Sequence, residues 1–375
     1  MWLGLILFLW LIGVFKGINL IALLSTLMLA FMIVNVVASR RGLRSLRLRR
    51  WIDEPLFAHT PAWLAVEVEN SASRPAVGIR LEDFGPDHAR AWYVGRLEGR
   101  GRFRHSEEIR MPGRGAYVWE PLVASCGAPF GLVEARVSAG APQRRLVLPQ
   151  LGRLHRGRFR QFLNVTAPSL GVARGQWPSP RPDSQSELHG VRAFRNGDSP
   201  RWIHWPTSAR SGELMVREFE DAPVDNLILI LDAWRPHAPA GSRAAAGARV
   251  DRVLEDAISL TATICWEWCR RTGDHLTLGL AGAHIEVSGG MTNRTRGLAF
   301  LEHLAIEQGD PGPDSGALLD RVSEMRLPKS AVVLISTRSD SFADALAATL
   351  HRPVTLIDVS QGIRHDFYEK PAHVS

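Results

Sequence analysis

The sequence predicts three fold classes in series: an N-terminal transmembrane helical hairpin, an antiparallel β-sandwich, and an α/β doubly wound parallel sheet. Three observations carry this expectation. Met1 to Ala38 holds a single charged side chain, Lys16. Trp51 to about Pro149 alternates with period two, the spacing of half-buried strands. From residue 223 onward, continuous apolar runs alternate with amphipathic helical stretches, the pattern of a sheet with crossover helices. The boundaries that follow are 1–38 for the hairpin, 39–50 for a basic juxtamembrane segment and 51–150 for the sandwich. A connector at 151–187, a motif-dense segment at 188–222 and the α/β domain at 223–375 complete the chain.

Composition sets the outer limits. The chain has 375 residues, 45% hydrophobic and 22% charged, an ordinary globular balance that argues against wholesale disorder. A mean hydropathy of −0.05 excludes a polytopic membrane protein. The net charge is +7. Arg40, Arg41, Arg44, Arg47, Arg49 and Arg50 account for six of those charges in a stretch without an acid, so the basic balance is local and argues only weakly for nucleic acid. Lysine is confined to Lys16, Lys329 and Lys370, an arginine bias that reads as genome composition. Cys126, Cys265 and Cys269 are too few for a disulfide framework and lack metal-ligand spacing.

A fully helical Met1–Ala38 would extend ~57 Å against a hydrocarbon core of ~30 Å, so a break is expected. Lys16-Gly17-Ile18-Asn19 supplies it. Leu20 to Val37 is long enough to span; Met1 to Phe15 is short, at ~22 Å, and calls for local thinning or a re-entrant path. A signal peptide would need a basic leading region and a cleavage site before the arginines, and neither is present. The arginines after the second helix place the following domains in the cytoplasm by the positive-inside rule, and they could also bind anionic headgroups.

The sandwich expectation rests on short alternating segments. Leu64 to Asn70 is the clearest. Val77–Leu81, Ala91–Leu97, Arg102–Ile109, Tyr117–Ala124, Leu132–Val137 and Arg145–Leu148 follow, separated by turn residues. Gly101-Arg-Phe-Arg104 recurs as Gly157-Arg-Phe-Arg160, an echo more readily read as chance than as a repeat. Nothing in this region looks catalytic.

Thr166 to Ser186 is rich in Pro, Ser, Gly and Gln and reads as an extended connector. The segment after it is dense in chemistry. Asn196-Gly197-Asp198 is a strong turn; Arg201-Trp-Ile-His-Trp205 interleaves basic and aromatic groups; Ser208-Ala-Arg210 precedes a turn at Gly212. Leu214 to Phe219 reads as a short edge strand. Three readings compete here. Arg192, Arg195, Arg201 and Arg210 could pair with Asp198, Glu218 and Glu220 as a structural brace, since bidentate guanidinium–carboxylate pairs fix orientation. Trp and Arg could form a partner-binding surface. Asp198, His204 and Ser208 could form an active site, although no nucleophile-elbow sequence surrounds Ser208. Single-stranded nucleic acid is disfavoured by the acids in the same window and by the membrane anchor.

In the last domain, Asn226 to Leu231 is a buried strand ending at Asp232. Arg249 to Arg271 is an amphipathic helix with Val250, Leu254, Ala257, Ile258, Ile264, Cys265 and Trp268 on one face. Strands at Leu276–Leu280, Ile285–Val287, Ala331–Ile335 and Val354–Val359 alternate with helices at Asn293–Gln308, Leu318–Met325 and Phe342–Leu350. Ligands in such sheets sit at the carboxyl ends of strands, here Asp232 and Ser336-Thr337. No glycine-rich phosphate loop follows the first strand, so a nucleotide is not indicated. The integrin-type Mg²⁺ motif Asp-x-Ser-x-Ser is degenerate: Trp234 and Pro236 hold the serine positions, which leaves Asp232 a poor metal site and points to no cofactor. Cys265 and Cys269 read as core packing.

Phe194-Arg195-x-Gly197-Asp198-x-x-Arg201-x-Ile203-His204-Trp205-x-x-Ser208-Ala209-Arg210, followed by Leu214 and Glu218, resembles the hallmark of the bacterial family called domain of unknown function fifty-eight. Arg114-Gly115-x-Tyr117 and Pro129-Phe130-Gly131-Leu132 resemble two further signatures of that family. Ala128 stands where many members carry Asp, and Pro206 where a basic residue is common. The resemblance implies a von Willebrand factor A-like α/β domain at the bacterial plasma membrane. It also implies a hallmark formed by Arg195, Gly197, Asp198, Arg201, His204, Trp205, Ser208, Arg210 and Glu218. Members are commonly encoded beside a MoxR-type AAA+ ATPase and a membrane transglutaminase-like protein, which implies those as partners, together with membrane lipid.

The expected function is therefore a non-enzymatic, membrane-anchored adaptor for such an ATPase, with metal-independent binding. The alternatives are a membrane-bound hydrolase using Ser208, His204 and Asp198, and a binder of anionic lipid or cell-wall polymer through the arginine-rich stretch.

Overall fold

A computed structural model describes residues 2–86, 88–166, 187–194, 203–220, 226–236, 244–325, 330–363 and 365–371. The chain divides into two compact units, one ending at Gln150 and the other beginning at Leu151.

The first unit opens with α1 (Trp2–Phe15) and α2 (Asn19–Arg44). Lys16 to Ile18 separate them, and Gly17 adopts the left-handed conformation the break requires. The two helices touch where Gly13 meets Ala22: a Cβ at Gly13 would lie 2.7 Å from the Ala22 backbone nitrogen, so only glycine permits this approach. Among the described residues, α2 is the one helix long and apolar enough to cross a membrane. It runs on through Ser39 to Arg44 without a break.

Ten strands follow: β1 (Leu46–Ile52), β2 (Leu56–Phe57), β3 (Pro61–Asn70), β4 (Ala76–Phe84), β5 (Ala89–Leu97), β6 (Arg102–Arg110), β7 (Gly115–Trp119), β8 (Leu122–Cys126), β9 (Ala135–Ala139) and β10 (Gln143–Leu148). They form sheets of order β1-β3-β6, β5-β4-β8-β9 and β2-β10-β7. Alternate residues of β3, β4 and β8 point into one core, with Leu64, Val66, Leu81, Trp119 and Ala124 fully buried. The pairing is antiparallel throughout the first two sheets. One element departs from the expected pattern: β2 runs parallel to β10, with Leu56 opposite Val147.

The basic stretch is not a separate segment. Arg40, Arg41 and Arg44 close α2, whereas Arg47, Arg49 and Arg50 belong to β1. The side chain of Arg50 is 3% exposed, pairs with the fully buried Asp83 and donates to the Glu120 carbonyl at 3.0 Å. It serves the β-sheet core and does not face outward with the other arginines. Alternation in Leu-Arg-Leu-Arg-Arg-Trp-Ile is masked at the sequence level because its three polar positions are all arginine and one of them, Arg50, faces inward.

The second unit begins with β11 (Arg153–Leu154) and α3 (Arg156–Thr166), within the stretch expected as connector. Phe159 is fully buried and meets Trp268 edge-on at 5.7 Å and Phe367 at 4.9 Å. The four-residue echo noted in the sequence therefore sits on strand β6 at one copy and on helix α3 at the other, so it is no structural repeat. β12 (Glu187–Ala193) and β13 (Met215–Glu220) form a two-stranded antiparallel sheet, with α4 (Trp205–Ser211) before β13.

The remaining elements are β14 (Leu227–Asp232), α5 (Ala244–Cys269), β15 (His275–Ala281), β16 (Ile285–Met291), α6 (Arg294–Ile306), α7 (Ser315–Glu324), β17 (Ala331–Ser336), α8 (Ala343–Leu350), β18 (Val354–Asp358) and β19 (Tyr368–Glu369). The five-stranded sheet has the order β16-β15-β14-β17-β18. Every residue of β14 is buried, as its unbroken apolar run demands. The sheet is mixed, not all-parallel: β16 runs antiparallel to β15. Gly282 to His284 are too few to form a crossover, so the chain must turn straight back. Cys265 and Cys269 are buried and free, and burial pushes both thiols up, Cys269 to about 11. They are inert core residues.

Candidate functional site

Two places in the second unit concentrate polar chemistry. The first is the segment around α4. His204 caps this helix: its Nδ1 accepts the Thr207 backbone N–H at 3.3 Å and lies 2.7 Å from the Thr207 hydroxyl. With Nδ1 an acceptor, the imidazole is turned toward Thr207 and its capping role. Gly212 ends the helix in the left-handed conformation, with its N–H returning to the Ser208 carbonyl. Ser208 is buried, and its hydroxyl serves the main chain. It accepts the Met215 N–H at 2.8 Å and lies 3.1 Å from the His204 carbonyl. The His204 N–H in turn donates to the Met215 carbonyl at 2.7 Å. Ser208 and His204 therefore rivet the two ends of α4 to the start of β13.

Trp205 is 65% exposed, and Arg210 is exposed in the last turn, where a cation complements the helix carbonyls. Glu218 stands opposite Gly190 in the β12–β13 pairing. Arg195, Gly197, Asp198 and Arg201 lie outside the described residues, as does the connector 167–186. The structure thus joins Ser208 and His204 through main-chain bonds and leaves Asp198 unplaced.

The second place is the carboxyl edge of the sheet, where strand order reverses between β14 and β17. Such switch points are where open α/β sheets hold ligands. Asp232, fully buried at the end of β14, faces Arg338. Arg338 Nε lies 2.9 Å from Oδ2 and Nη2 lies 3.3 Å from Oδ1. The Ser336 hydroxyl adds a third contact to Oδ2 at 2.9 Å. Burial raises the Asp232 carboxyl above its ordinary range, and Arg338 and Ser336 oppose that rise without overcoming it.

The loop after Asp232 is committed to internal contacts. Trp234, at a serine position of the metal motif, donates its indole N–H to the Pro311 carbonyl at 2.9 Å. The Thr337 hydroxyl donates to the Trp234 carbonyl at 2.6 Å, and Arg235 pairs with Asp251 at 2.7 Å. The Arg338 guanidinium matches the Asp232 carboxylate in charge and planar geometry. Asp232 is held by side chains from the neighbouring strand end. Its partner Arg338 is legible only with the pairing of β14 and β17 in hand, because 106 residues separate the two. Among the described residues, no group of three or more His, Cys, Asp and Glu is placed to hold a metal ion.

Residues 190–361 match the family model described as "Protein of unknown function DUF58", and this match supports the DUF58 family. No curated protein matches the chain in sequence. Among solved structures, the CARDB domain of a Pyrococcus furiosus protein, in complex with di-metal ions, is similar at 14% identity. It covers 28% of this chain and 87% of its own, with a TM-score of 0.22. The alkylpurine DNA glycosylase AlkC of Pseudomonas fluorescens is similar at 10% identity, covering 37% and 42%, with a TM-score of 0.20. A GH20 exo-β-N-acetylglucosaminidase of Vibrio harveyi is similar at 10% identity, covering 82% and 71%, with a TM-score of 0.21. Likenesses this slight bear on neither the fold nor the chemistry of this chain.

Proposed function

We propose that this protein is a non-enzymatic, membrane-anchored adaptor that engages a cytoplasmic AAA+ ATPase of the MoxR type. In this reading α1 and α2 form a helical hairpin in the bacterial plasma membrane, and the β-strands of the first unit and the second unit lie on the cytoplasmic side. The second unit is a von Willebrand factor A-like domain with a degenerate metal edge; its strand order, with the third strand antiparallel, supports this. The carrying observation is the Asp232–Arg338 pair. It fills the switch point of the sheet with the protein's own charge, which suits a domain that binds partners without a metal. Trp205 and Arg210, exposed on α4, are residue types that dominate binding hot spots. The main-chain bonds of Ser208 favour a brace over a nucleophile.

The test is co-purification of the full-length protein from native membranes in mild detergent, with cross-linking and mass spectrometry. A stoichiometric AAA+ ATPase, lost on Trp205→Ala, is the expected result. A clean preparation without an ATPase would overturn the reading. Labelling of Ser208 by a serine-reactive probe would turn attention to the hydrolase instead.

A further inference from the structure

The loop between β8 and β9, in the first unit, is held by α2 in an unusual way. Asn35 accepts the Phe130 N–H at 2.9 Å through its side-chain oxygen and donates to the Val133 carbonyl at 2.8 Å. The Ser39 hydroxyl lies 2.9 Å from the Ala128 carbonyl. Inside the loop, the Gly131 N–H donates to the Gly127 carbonyl at 2.7 Å. Asn35 and Ser39 are almost wholly buried, at 0% and 1% exposure. An ordinary surface loop leaves such backbone groups to water. Here side chains from an apolar helix satisfy them.

The tip has the opposite character. Pro129, Phe130 and Gly131 are exposed, and Phe130 is 47% so. The Phe130 ring meets Phe31 of α2 edge-on at 5.0 Å. Phe31 precedes Arg40, the first arginine after the apolar run, by nine residues, or ~13 Å along the helix axis. If Arg40 lies at the headgroups, Phe31 lies well inside a hydrocarbon half-layer of ~15 Å. A ring in contact with Phe31 cannot then be in water. Where the loop returns toward Arg40, a cavity of about 230 Å³ is lined by Val36, Arg40, Val133, Glu134, Ala135 and Arg136. The face thus passes from apolar at Phe130 to charged at Arg40 and Arg136, as a bilayer interface does.

We propose that the Ala128–Val133 loop is embedded in the lipid leaflet beside α2, with acyl chains as the partner of Phe130. Non-helical backbone is tolerated at membrane depth only where its polar groups are satisfied by protein, and Asn35 and Ser39 do this for Phe130, Val133 and Ala128. The need is mutual. A buried asparagine in a spanning helix is costly unless partnered, and the loop backbone is its partner. The inference rests on α2 crossing the membrane.

The experiment places single cysteines in the full-length protein, which is labelled with an environment-sensitive fluorophore and reconstituted in phosphatidylethanolamine–phosphatidylglycerol vesicles containing spin-labelled lipid. Native Cys126, Cys265 and Cys269 are buried, and the unmutated protein serves as the labelling blank. Phe130→Cys and Leu132→Cys report the loop. Leu27→Cys, exposed on α2, reports the span, and Ser138→Cys, exposed on β9, reports the aqueous side. Quenching at position 130 or 132 within about twofold of that at position 27, with position 138 accessible to iodide, is the expected result. If positions 130 and 132 behave as 138 does while 27 is quenched, the loop is in water and the proposal fails although the span stands. If position 27 is unquenched, the membrane reading itself fails, and the proposal with it.

Discussion

Arg338 grips both carboxylate oxygens of Asp232 across the β14–β17 boundary, one through Nε at 2.9 Å and the other through Nη2 at 3.3 Å. The aspartate is fully buried, whereas the arginine side chain is 25% exposed. The pair is therefore an inward-facing anion closed off by a cation reaching in from the surface.

Arg338→Ala should expose the cost of that arrangement. Removing one partner of a buried pair leaves an uncompensated charge and typically destabilises by ~3 kcal/mol. The pH dependence carries the diagnosis. The Asp232 carboxyl is raised by burial. The stability linked to its proton is fully present below the unfolded pKa and is lost as pH rises through the folded one. Deleting Arg338 removes an opposing influence and raises that folded pKa further. The stability gap between variant and parent should widen from acid to neutral pH in denaturant titrations. A gap independent of pH would mean that Arg338 does not act through Asp232.

Ser208→Ala should loosen the join between α4 and β13. The Met215 N–H loses its acceptor, a defect worth ~1–2 kcal/mol where the group is kept from water. Amide hydrogen exchange at Met215 should accelerate. Unchanged protection there, together with loss of a hydrolytic activity, would contradict the bracing role.

Arg50 and Arg40 should part company in their effects. Arg50→Ala takes the buried guanidinium away from the fully buried Asp83 carboxylate and should lower stability by ~3 kcal/mol. Arg40→Ala, at an exposed position, should leave thermal unfolding nearly unchanged and lower the share of anionic lipid retained with the purified protein. Thermal denaturation and analysis of co-purified lipid for both variants check the division. Equal effects would put Arg50 back among the lipid-facing arginines.

Arg156 stands over the Trp268 ring at 4.5 Å and pairs with Asp274 at 2.9 Å. Burial holds the guanidinium below its ordinary range and the Asp274 carboxyl above its own. Arg156→Lys keeps the charge but loses planar stacking, for an expected loss of ~1 kcal/mol, and Arg156→Ala should cost two to three times as much. Urea midpoints of the two variants test the order.

The elements that announced themselves in the sequence are those whose burial is one-sided or total. β3 alternates, β14 is apolar up to Asp232, and α5 is buried all round from Ala257 to Cys265. β1 was hidden because arginines fill two of its three outward positions, Arg47 and Arg49, and the inward one at Arg50. α3 was hidden by a low apolar content and by its place beside a stretch of turn formers, although Phe159 anchors it. At the sites, Asp232 was legible as the polar end of an unbroken apolar run. The partner that completes it was not, because Arg338 meets Asp232 only through the pairing of nonconsecutive strands. Asn35 and Ser39 left a usable trace: two polar residues four apart at the end of the apolar run of α2, the spacing of one face.

The short pairing of β11 with β19 sets Arg153 opposite Glu369 and Leu154 opposite Tyr368. The opening and closing strands of the second unit are thus neighbours, so the fold begins and finishes at one point on its surface. A domain arranged in this way can be lifted out or inserted elsewhere as a cassette. It also invites circular permutation: joining the strand ends by a short linker and opening a new start at an exposed turn should preserve the interior. Under tension, force applied at both ends would pull this one antiparallel seam apart before it reached the five-stranded sheet.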